Sequence, residues 1–151
     1  MAPFLISAVM FGADQLTKLL IVNRFIPGES APLLPSILHL TYVQNRGAAF
    51  GLLQGQQPLF VALAILVIGW LGRELMKPAT SRLMAVGAAL VLGGAAGNLL
   101  DRIRLGYVVD FIDIRVWPVF NIGDSAITIG VALLLWHSLW RSDKSQVTRG
   151  K

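Results

Sequence analysis

The sequence contains no cysteine and only two histidines, His39 and His137, which lie far apart in the chain. The absence of cysteine excludes disulfide bonds, thiolate metal ligands and a cysteine nucleophile. Zinc sites are built from closely spaced cysteine and histidine ligands, and two isolated histidines do not provide them. We therefore expect neither a metal site nor covalent cross-links in this protein.

Charged residues are also scarce. They make up 14% of the 151 residues, whereas hydrophobic residues make up 55%; about a quarter charged is usual in soluble domains. The mean hydropathy is +0.67. The net charge of +5 does not indicate nucleic-acid binding, because the basic residues form no run and do not alternate with aromatic residues. The composition predicts a mainly α-helical integral membrane protein that forms one membrane-embedded domain, residues 1–151.

Four apolar stretches are long enough to cross a membrane, since a spanning helix needs about 20 apolar residues. They cover residues 4–22, 58–75, 83–100 and 124–140. The first lacks the basic start and the cleavage site of a secretory signal peptide, so we interpret it as a retained helix. The tail, residues 141–151, is polar and basic, and we predict that it is disordered.

The first long connector predicts a small β-sheet. Its early prolines break any helix, and Ile37–Val43 then brings the β-branched and large apolar residues typical of a strand. The stretch Asn45–Leu53 contains two glycines and predicts a turn followed by a second strand. We expect the sheet to lie on the membrane surface and to carry Asn45, Arg46, Gly47 and Phe50.

The distribution of Lys and Arg predicts the orientation. The short loop 72–82 carries three of them and the tail four, whereas the first connector carries two over about three times the length of that loop. We therefore expect both termini and loop 72–82 on the cytoplasmic side, and both long connectors outside. Arg102 and Arg104 are exceptions to this rule, because they lie on the predicted outer side.

Two aspartates, Asp110 and Asp124, flank the short connector before the last span. Carboxylates at a membrane are costly and indicate function. Two carboxyls that share one site differ in protonation, because like charges repel. The ionised member can then accept a proton from water while the protonated member polarises a scissile carbonyl. Asp110 and Asp124 are therefore candidates for a water-activating pair.

The residues alone leave other roles open for these acids. Asp124 is equally suited to capping a helix. Asp110 is equally suited to the protein surface, and Asp113 competes with it for the role in the pair. A Ser–Lys pair formed by Ser125 and Lys18 is also conceivable, although nothing in the sequence brings them together. If the pair exists, the helical pattern that follows Asp124 favours its ionised form. Asp110 lies among apolar residues, so we predict that it holds the shared proton.

The first span contains Asp14 and Lys18, which are four residues apart and can pair on one helix face. We expect this pair to serve structure or positioning, or to contact a lipid headgroup. In the third span, Gly93–Gly97 is a run of small residues that allows another helix to approach closely.

Five motifs occur in order along the chain: DQLTK (Asp14–Lys18), NRGAAFG (Asn45–Gly51), GGAAGNLLDR (Gly93–Arg102), VVDF (Val108–Phe111) and FNIGDSA (Phe120–Ala126). On these motifs the chain resembles the lipoprotein signal peptidases, the type II signal peptidases of bacteria, over nearly its whole length. The resemblance implies an aspartyl endopeptidase without a cofactor. It would remove the signal peptide of diacylglyceryl-modified prolipoproteins by cutting just before the lipidated cysteine.

The resemblance also implies roles for individual residues. It makes Asp110 and Asp124 the catalytic acids and Asp113 a neighbour. The residues that it makes supporting or substrate-binding are Asn98, Asp101, Arg102, Asn121, Asn45, Gly47, Asp14 and Lys18. Two features depart from the family pattern: Gly123 stands where alanine is more common, from which we expect a looser turn before Asp124, and the connector between the two acids is short.

The resemblance further implies a bacterial inner-membrane protein with its active site near the outer face. It implies a monomer that contacts membrane lipid and binds globomycin-type inhibitors. Two other functions fit the residues alone. A small proton-coupled transporter would also place acids in the membrane, although no internal repeat supports it. A non-enzymatic membrane scaffold would use the same acids as caps.

Overall fold

The computed structural model describes residues 1–47, 55–78 and 80–149, with side chains described up to residue 139. This part of the chain forms four helices and three strands. In order they are α1 (Ala2–Arg24), β1 (Ser30–Leu34), β2 (Leu38–Asn45), α2 (Gln57–Leu75), α3 (Arg82–Leu105), β3 (Val108–Asp113) and α4 (Ile122–Arg149). The predicted mainly helical fold with a small sheet is confirmed.

All four helices are long and apolar enough to cross a membrane, with residues 122–139 forming the candidate span of α4. Much of their apolar surface faces outward. In α2 only 6% of the residues in the spanning window are buried, and Leu66 and Trp70 are more than half exposed. A water-soluble protein would not leave such a surface uncovered, whereas a bilayer solvates it. The chain is a multi-pass membrane protein.

Two helices extend well beyond their predicted ends. α3 continues to Leu105 and stops at Gly106, whose φ of 76° is the left-handed conformation that commonly ends helices. α4 continues to Arg149, where the sequence predicted a disordered tail from residue 141. No glycine or proline occurs between Gly130 and Gly150 to end it.

Helix α3 is the centre of the bundle and packs against α1, α2 and α4. Its buried face consists largely of glycine and alanine, which lets neighbouring backbones come close. Ser7 of α1 donates a hydrogen bond of 2.9 Å to the carbonyl oxygen of Ala89. On the α4 side, a Cβ atom added to Gly94 would overlap the carbonyl oxygen of Gly123.

The sheet is antiparallel, with β2 between β1 and β3. The predicted strand is confirmed as β2, but its partners come from elsewhere than predicted. Most of the predicted second strand, including Phe50, lies outside the described residues. β1 contains Pro32, which an edge strand tolerates. β3 was missed because its residues are buried on both faces and do not show the alternation that marks a half-exposed strand.

Replacing Gly94 by alanine should force α3 and α4 apart. Overpacking of this kind costs about 1–3 kcal/mol, so we expect a lower thermal midpoint and lower activity in detergent. Gly69→Ala is the matched control, because nothing lies within 4 Å of an added Cβ there. Equal thermal midpoints for the two variants would contradict the proposed close contact.

Candidate active site

Asp110 lies within β3 and is only 1% exposed. Two amide groups donate to its carboxyl oxygens. Asn45 Nδ2 is 2.9 Å from Oδ2, and Asn121 Nδ2 is 2.7 Å from Oδ1. Burial raises the pKa of Asp110 to about 7, and the charge of Asp124 adds to this effect. The two hydrogen bonds and the charge of Lys18 offset only part of it.

Asp124 is half-buried in the first turn of α4. Its side chain accepts a hydrogen bond of 2.7 Å from Asn98 Nδ2 and one of 3.3 Å from the backbone amide of Asn121. Asn121 Oδ1 in turn accepts from the backbone amide of Asp124 at 2.8 Å. This reciprocal pattern is a capping box. Asn121 therefore occupies the capping position that the sequence suggested for Asp124.

The structure places Asp110 and Asp124 on the wall of one cavity of about 340 Å³. Asn121 contacts both, because its side chain donates to Asp110 and caps the helix that carries Asp124. Asn45, Gly47 and Arg102, which the sequence also predicted near the site, line the same cavity. The cavity thus gathers residues from β2, β3, α3 and α4.

Lys18 joins α1 to α3 through three polar contacts. Its Nζ atom lies 2.9 Å from Asp14 Oδ2 and 2.9 Å from Asp101 Oδ2, and donates to Asn98 Oδ1 at 2.8 Å. The expected pairing of Asp14 and Lys18 is present, and both side chains are almost fully buried. The pair therefore contacts protein in α1 and α3 rather than forming a surface feature.

Asp14 also holds the start of α4, because its Oδ1 accepts from the backbone amide of Gly123 at 2.8 Å. A carboxylate at a helix amino terminus is favourable. The close contact depends on glycine: a Cβ on Gly97 would overlap Asp14 Oδ2, and one on Gly123 would lie 3.0 Å from Asp14 Oδ1. Gly123 is part of a tightly packed helical turn, and the looser turn expected from the sequence stays a prediction.

Gln15 belongs to the buried polar contacts around Asp101, and two aromatic residues belong to the cavity, but none of the three was given a role of its own from the sequence. Gln15 Nε2 donates to Asp101 Oδ1 at 3.1 Å and to the carbonyl oxygen of Gly97 at 3.2 Å. Its place between Asp14 and Lys18 in one motif was the available signal. Trp117 and Phe120 line the cavity beside the two acids, and the apolar connector gave no indication of which of its residues turn inward.

Arg102 also lines the cavity, and its guanidinium carbon lies 5.0 Å from the centroid of the Phe60 ring. This is a cation–π contact between α3 and α2. The arginine therefore brings a positive charge to the wall that also carries Asp110 and Asp124, and it connects α2 to the site.

Asp113 and Ser125 do not take the alternative roles that the sequence left open. Asp113 accepts from Thr41 at 2.8 Å and from Arg115. Burial acts against its ionisation, but these bonds outweigh it and lower the pKa of Asp113. Ser125 donates to the carbonyl oxygen of Asn121 at 3.1 Å, while the contacts of Lys18 go to Asp14, Asp101 and Asn98. No Ser–Lys pair forms between them.

An apolar cavity of about 270 Å³ continues from Asn98, Arg102 and Asp124 between the helices. Leu63, Ala64 and Val67 of α2 form one wall, with Val91 and Ala95 of α3 opposite. Within the described part of the chain, no group of three or more His, Asp or Glu side chains is arranged to hold a metal ion.

Two solved structures, each described as a bacterial membrane enzyme, share this fold. One superimposes with a TM-score of 0.89 at 35% identity, covering 95% of this chain and 90% of the other. The second has a TM-score of 0.83 at 36% identity, covering 91% and 92%. The fold and the buried polar site thus define a multi-pass membrane enzyme.

The family model described as signal peptidase (SPase) II matches residues 6–140. The lipoprotein signal peptidase of Halothermothrix orenii is 45% identical over 141 residues, 93% of this chain and 97% of that protein. That of Moorella thermoacetica is 50% identical over 139 residues, 91% and 93% of the two chains. The chain belongs to the signal peptidase II family, proteases that remove signal peptides from prolipoproteins.

The raised pKa of Asp110 predicts a pH-dependent stability. Between pH 4 and pH 7 the folded state binds more protons at this carboxyl than the unfolded state does, so its contribution falls as pH rises. We expect a lower thermal midpoint at pH 8 than at pH 5. Asp110→Asn should flatten this dependence. In order of magnitude, it should remove up to a few kcal/mol of the pH-dependent free energy of unfolding.

Asp113→Asn is the control for this prediction. Because the pKa of Asp113 is lowered, its carboxyl does not titrate between pH 5 and pH 8, and the variant should keep the pH dependence of the parent protein. The same slope in the parent and in Asp110→Asn would show that another group is responsible.

Proposed function

We propose that Asp110 and Asp124 are the catalytic acids of this peptidase and that Asp110 carries the shared proton. The observation that supports this most strongly is that both carboxyls face one cavity beside the same asparagine, Asn121. One of them, Asp110, has its pKa raised to about 7. A pair with one proton at neutral pH has the acid and the base that hydrolysis of an amide requires.

The proposed reaction needs only these two groups and water. Protonated Asp110 donates a hydrogen bond to the scissile carbonyl oxygen, while ionised Asp124 accepts a proton from the attacking water. The hydroxyl oxygen bonds to the carbonyl carbon and forms a tetrahedral intermediate. When the carbon–nitrogen bond breaks, the leaving nitrogen receives the proton that Asp124 accepted.

The assignment of acid and base follows from the surroundings of the two groups. Asp110 is 1% exposed within a strand, where burial disfavours charge. Asp124 is only half-buried and lies in the first turn of a helix, where a negative charge is favoured. Asp110 receives two side-chain amides, but these compensate only in part for its burial.

The apolar cavity beside Asp124 suits the signal peptide of the substrate. It opens between α2 and α3, and residues such as Ala64 and Ala95 leave space there. A substrate whose cysteine carries diacylglyceryl chains is held in the bilayer. The bond just before that cysteine can then reach the cavity at the end of the spans. We assign Arg102, Asn45 and Gly47 to substrate binding because they line the catalytic cavity.

The two rival functions explain these features less well. A scaffold has no need for a cavity lined by two acids, one of which is nearly completely buried. Transporters of this size are expected to have interrupted helices at a central site, whereas α1, α2 and α3 are continuous over their described residues.

We further propose that the protein lies in the bacterial inner membrane with both termini in the cytoplasm. The positive charge of loop 72–82 and of the tail supports this orientation. In this orientation the sheet and the catalytic cavity lie at the outer face of the membrane. We also propose, from the family, that the enzyme acts as a monomer and binds globomycin-type inhibitors.

Single substitutions of the two acids test the catalytic proposal. Asp110→Asn and Asp124→Asn should each lower kcat for cleavage of a lipidated test precursor by about two to four orders of magnitude, the usual contribution of a general acid or base. Both proteins should accumulate in the membrane. Asp113→Asn, whose carboxyl binds Thr41 and Arg115, is the matched control and should stay active. An active Asp110→Asn enzyme would refute the assignment.

The orientation can be tested directly because the chain has no cysteine. Cysteine introduced at Ile37, between β1 and β2, should react in intact cells with a maleimide that does not cross the inner membrane. Cysteine introduced at Lys77, between α2 and α3, should react only after the cells are opened. The reverse pattern would invert the proposed topology.

A further inference from the structure

Lys18 is buried with 3% exposure and has three contacts for its three N–H groups. Two are the carboxylates of Asp14 and Asp101, each at 2.9 Å. The third is the amide oxygen of Asn98 at 2.8 Å. The third contact satisfies the last buried N–H group of the ammonium, and it does so with the side chain that also binds Asp124.

The third contact fixes the orientation of the Asn98 amide. A lysine can donate but not accept hydrogen bonds, so the Asn98 oxygen must face Lys18. The amide nitrogen then points the other way and donates to Asp124 Oδ1 at 2.7 Å. Rotating the amide by half a turn would set its nitrogen against the ammonium and its oxygen against the carboxylate, which is unfavourable at both ends.

Asn121 is oriented in the same sense. Its oxygen accepts from the backbone amide of Asp124 at 2.8 Å. Its nitrogen therefore donates to Asn98 Oδ1 at 3.1 Å and to Asp110 Oδ1 at 2.7 Å. The donors run in one direction, from Lys18 through Asn98 to Asp124, and this arrangement suits a carboxylate that acts as a base.

We propose that Lys18 is a positioning residue that acts through Asn98 to keep Asp124 the proton acceptor of the pair. The inference rests on the catalytic roles proposed above for Asp110 and Asp124. Lys18 does not contact the reacting atoms. Together with Asn121, which donates to the same oxygen at 3.1 Å, it determines which end of the Asn98 amide meets Asp124.

The alternative is that Lys18 only balances charge. The charged and titratable groups that face the pair are Lys18 and Asp14 from α1, Asp101 and Arg102 from α3, and the two acids themselves. Lys18→Met removes one positive charge from this set. Adding Asp101→Asn removes one negative charge, so the double variant keeps the net charge but lacks the donor to Asn98.

The experiment is the pH profile of kcat/KM for the lipidated precursor in the parent enzyme, Lys18→Met, Asp101→Asn and the double variant. The acidic limb reports the base form of the pair. We expect it to move up by about one pH unit in Lys18→Met, because a less firmly held Asn98 amide weakens its hydrogen bond to the Asp124 carboxylate, and a hydrogen bond to a charged group has about this effect. The double variant should keep the shift, whereas Asp101→Asn alone should not show it.

Ser7→Ala is the matched control, because it removes another buried hydrogen bond between α1 and α3 without touching the acids. It should lower the thermal midpoint and leave the acidic limb in place. If Lys18→Met does not accumulate, the charge-balanced double variant carries the test. A parental acidic limb in the double variant overturns the inference. The catalytic proposal fails separately, if Asp110→Asn cleaves the precursor.

Discussion

The buried contacts of Lys18 hold this structure together, because they join α1 to α3 and act on α4 through two neighbours. Breaking a buried ion pair by removing one partner typically costs 3–5 kcal/mol, since the remaining charge is left uncompensated. Here the positive charge lies between two acids, Asp14 and Asp101. Asp14 also accepts a hydrogen bond from the backbone amide of Gly123, in the first turn of α4. The end of the bundle that carries Asp124 is therefore fixed by polar contacts as well as by close packing.

The small residues of α3 make these polar contacts possible. Side chains as short as asparagine and aspartate reach across helix interfaces only when the backbones are close. Gly94 and Gly97 allow that approach, since even a methyl group at either position would collide with α4 or with Asp14. Packing and polar chemistry thus depend on the same helix face.

The sequence predicted the helices well because a long apolar stretch has few alternatives in a membrane. It also predicted Asp14 and Lys18 as a pair, since their spacing of four residues is a local property. The contact between Asn98 and Asp124 is not local, and nothing in the separate stretches showed that it would form. The motif resemblance implied only that Asn98 supports the site and did not name its partner.

The misses have physical reasons as well. β3 is buried on both faces, so the period of two that marks a strand is absent from Val108–Asp113. The sequence placed the start of α4 at Asp124, because an aspartate before an apolar run is a common cap. In the structure Asn121 caps the helix instead. The packing role of Gly123 was also missed, because the sequence does not show that its missing side chain lets Asp14 approach closely.

The spacing of Asp14 and Lys18 has a consequence for biogenesis. α1 is synthesised before α3 and α4, so it can enter the bilayer before they exist to receive its polar side chains. During that interval the two residues can bind one another, so the pair presents no net charge to the lipid. When α3 and α4 have inserted, the ammonium group of Lys18 contacts Asp101 and Asn98 in addition to Asp14. The same interaction can therefore accompany the chain from membrane entry to the finished enzyme.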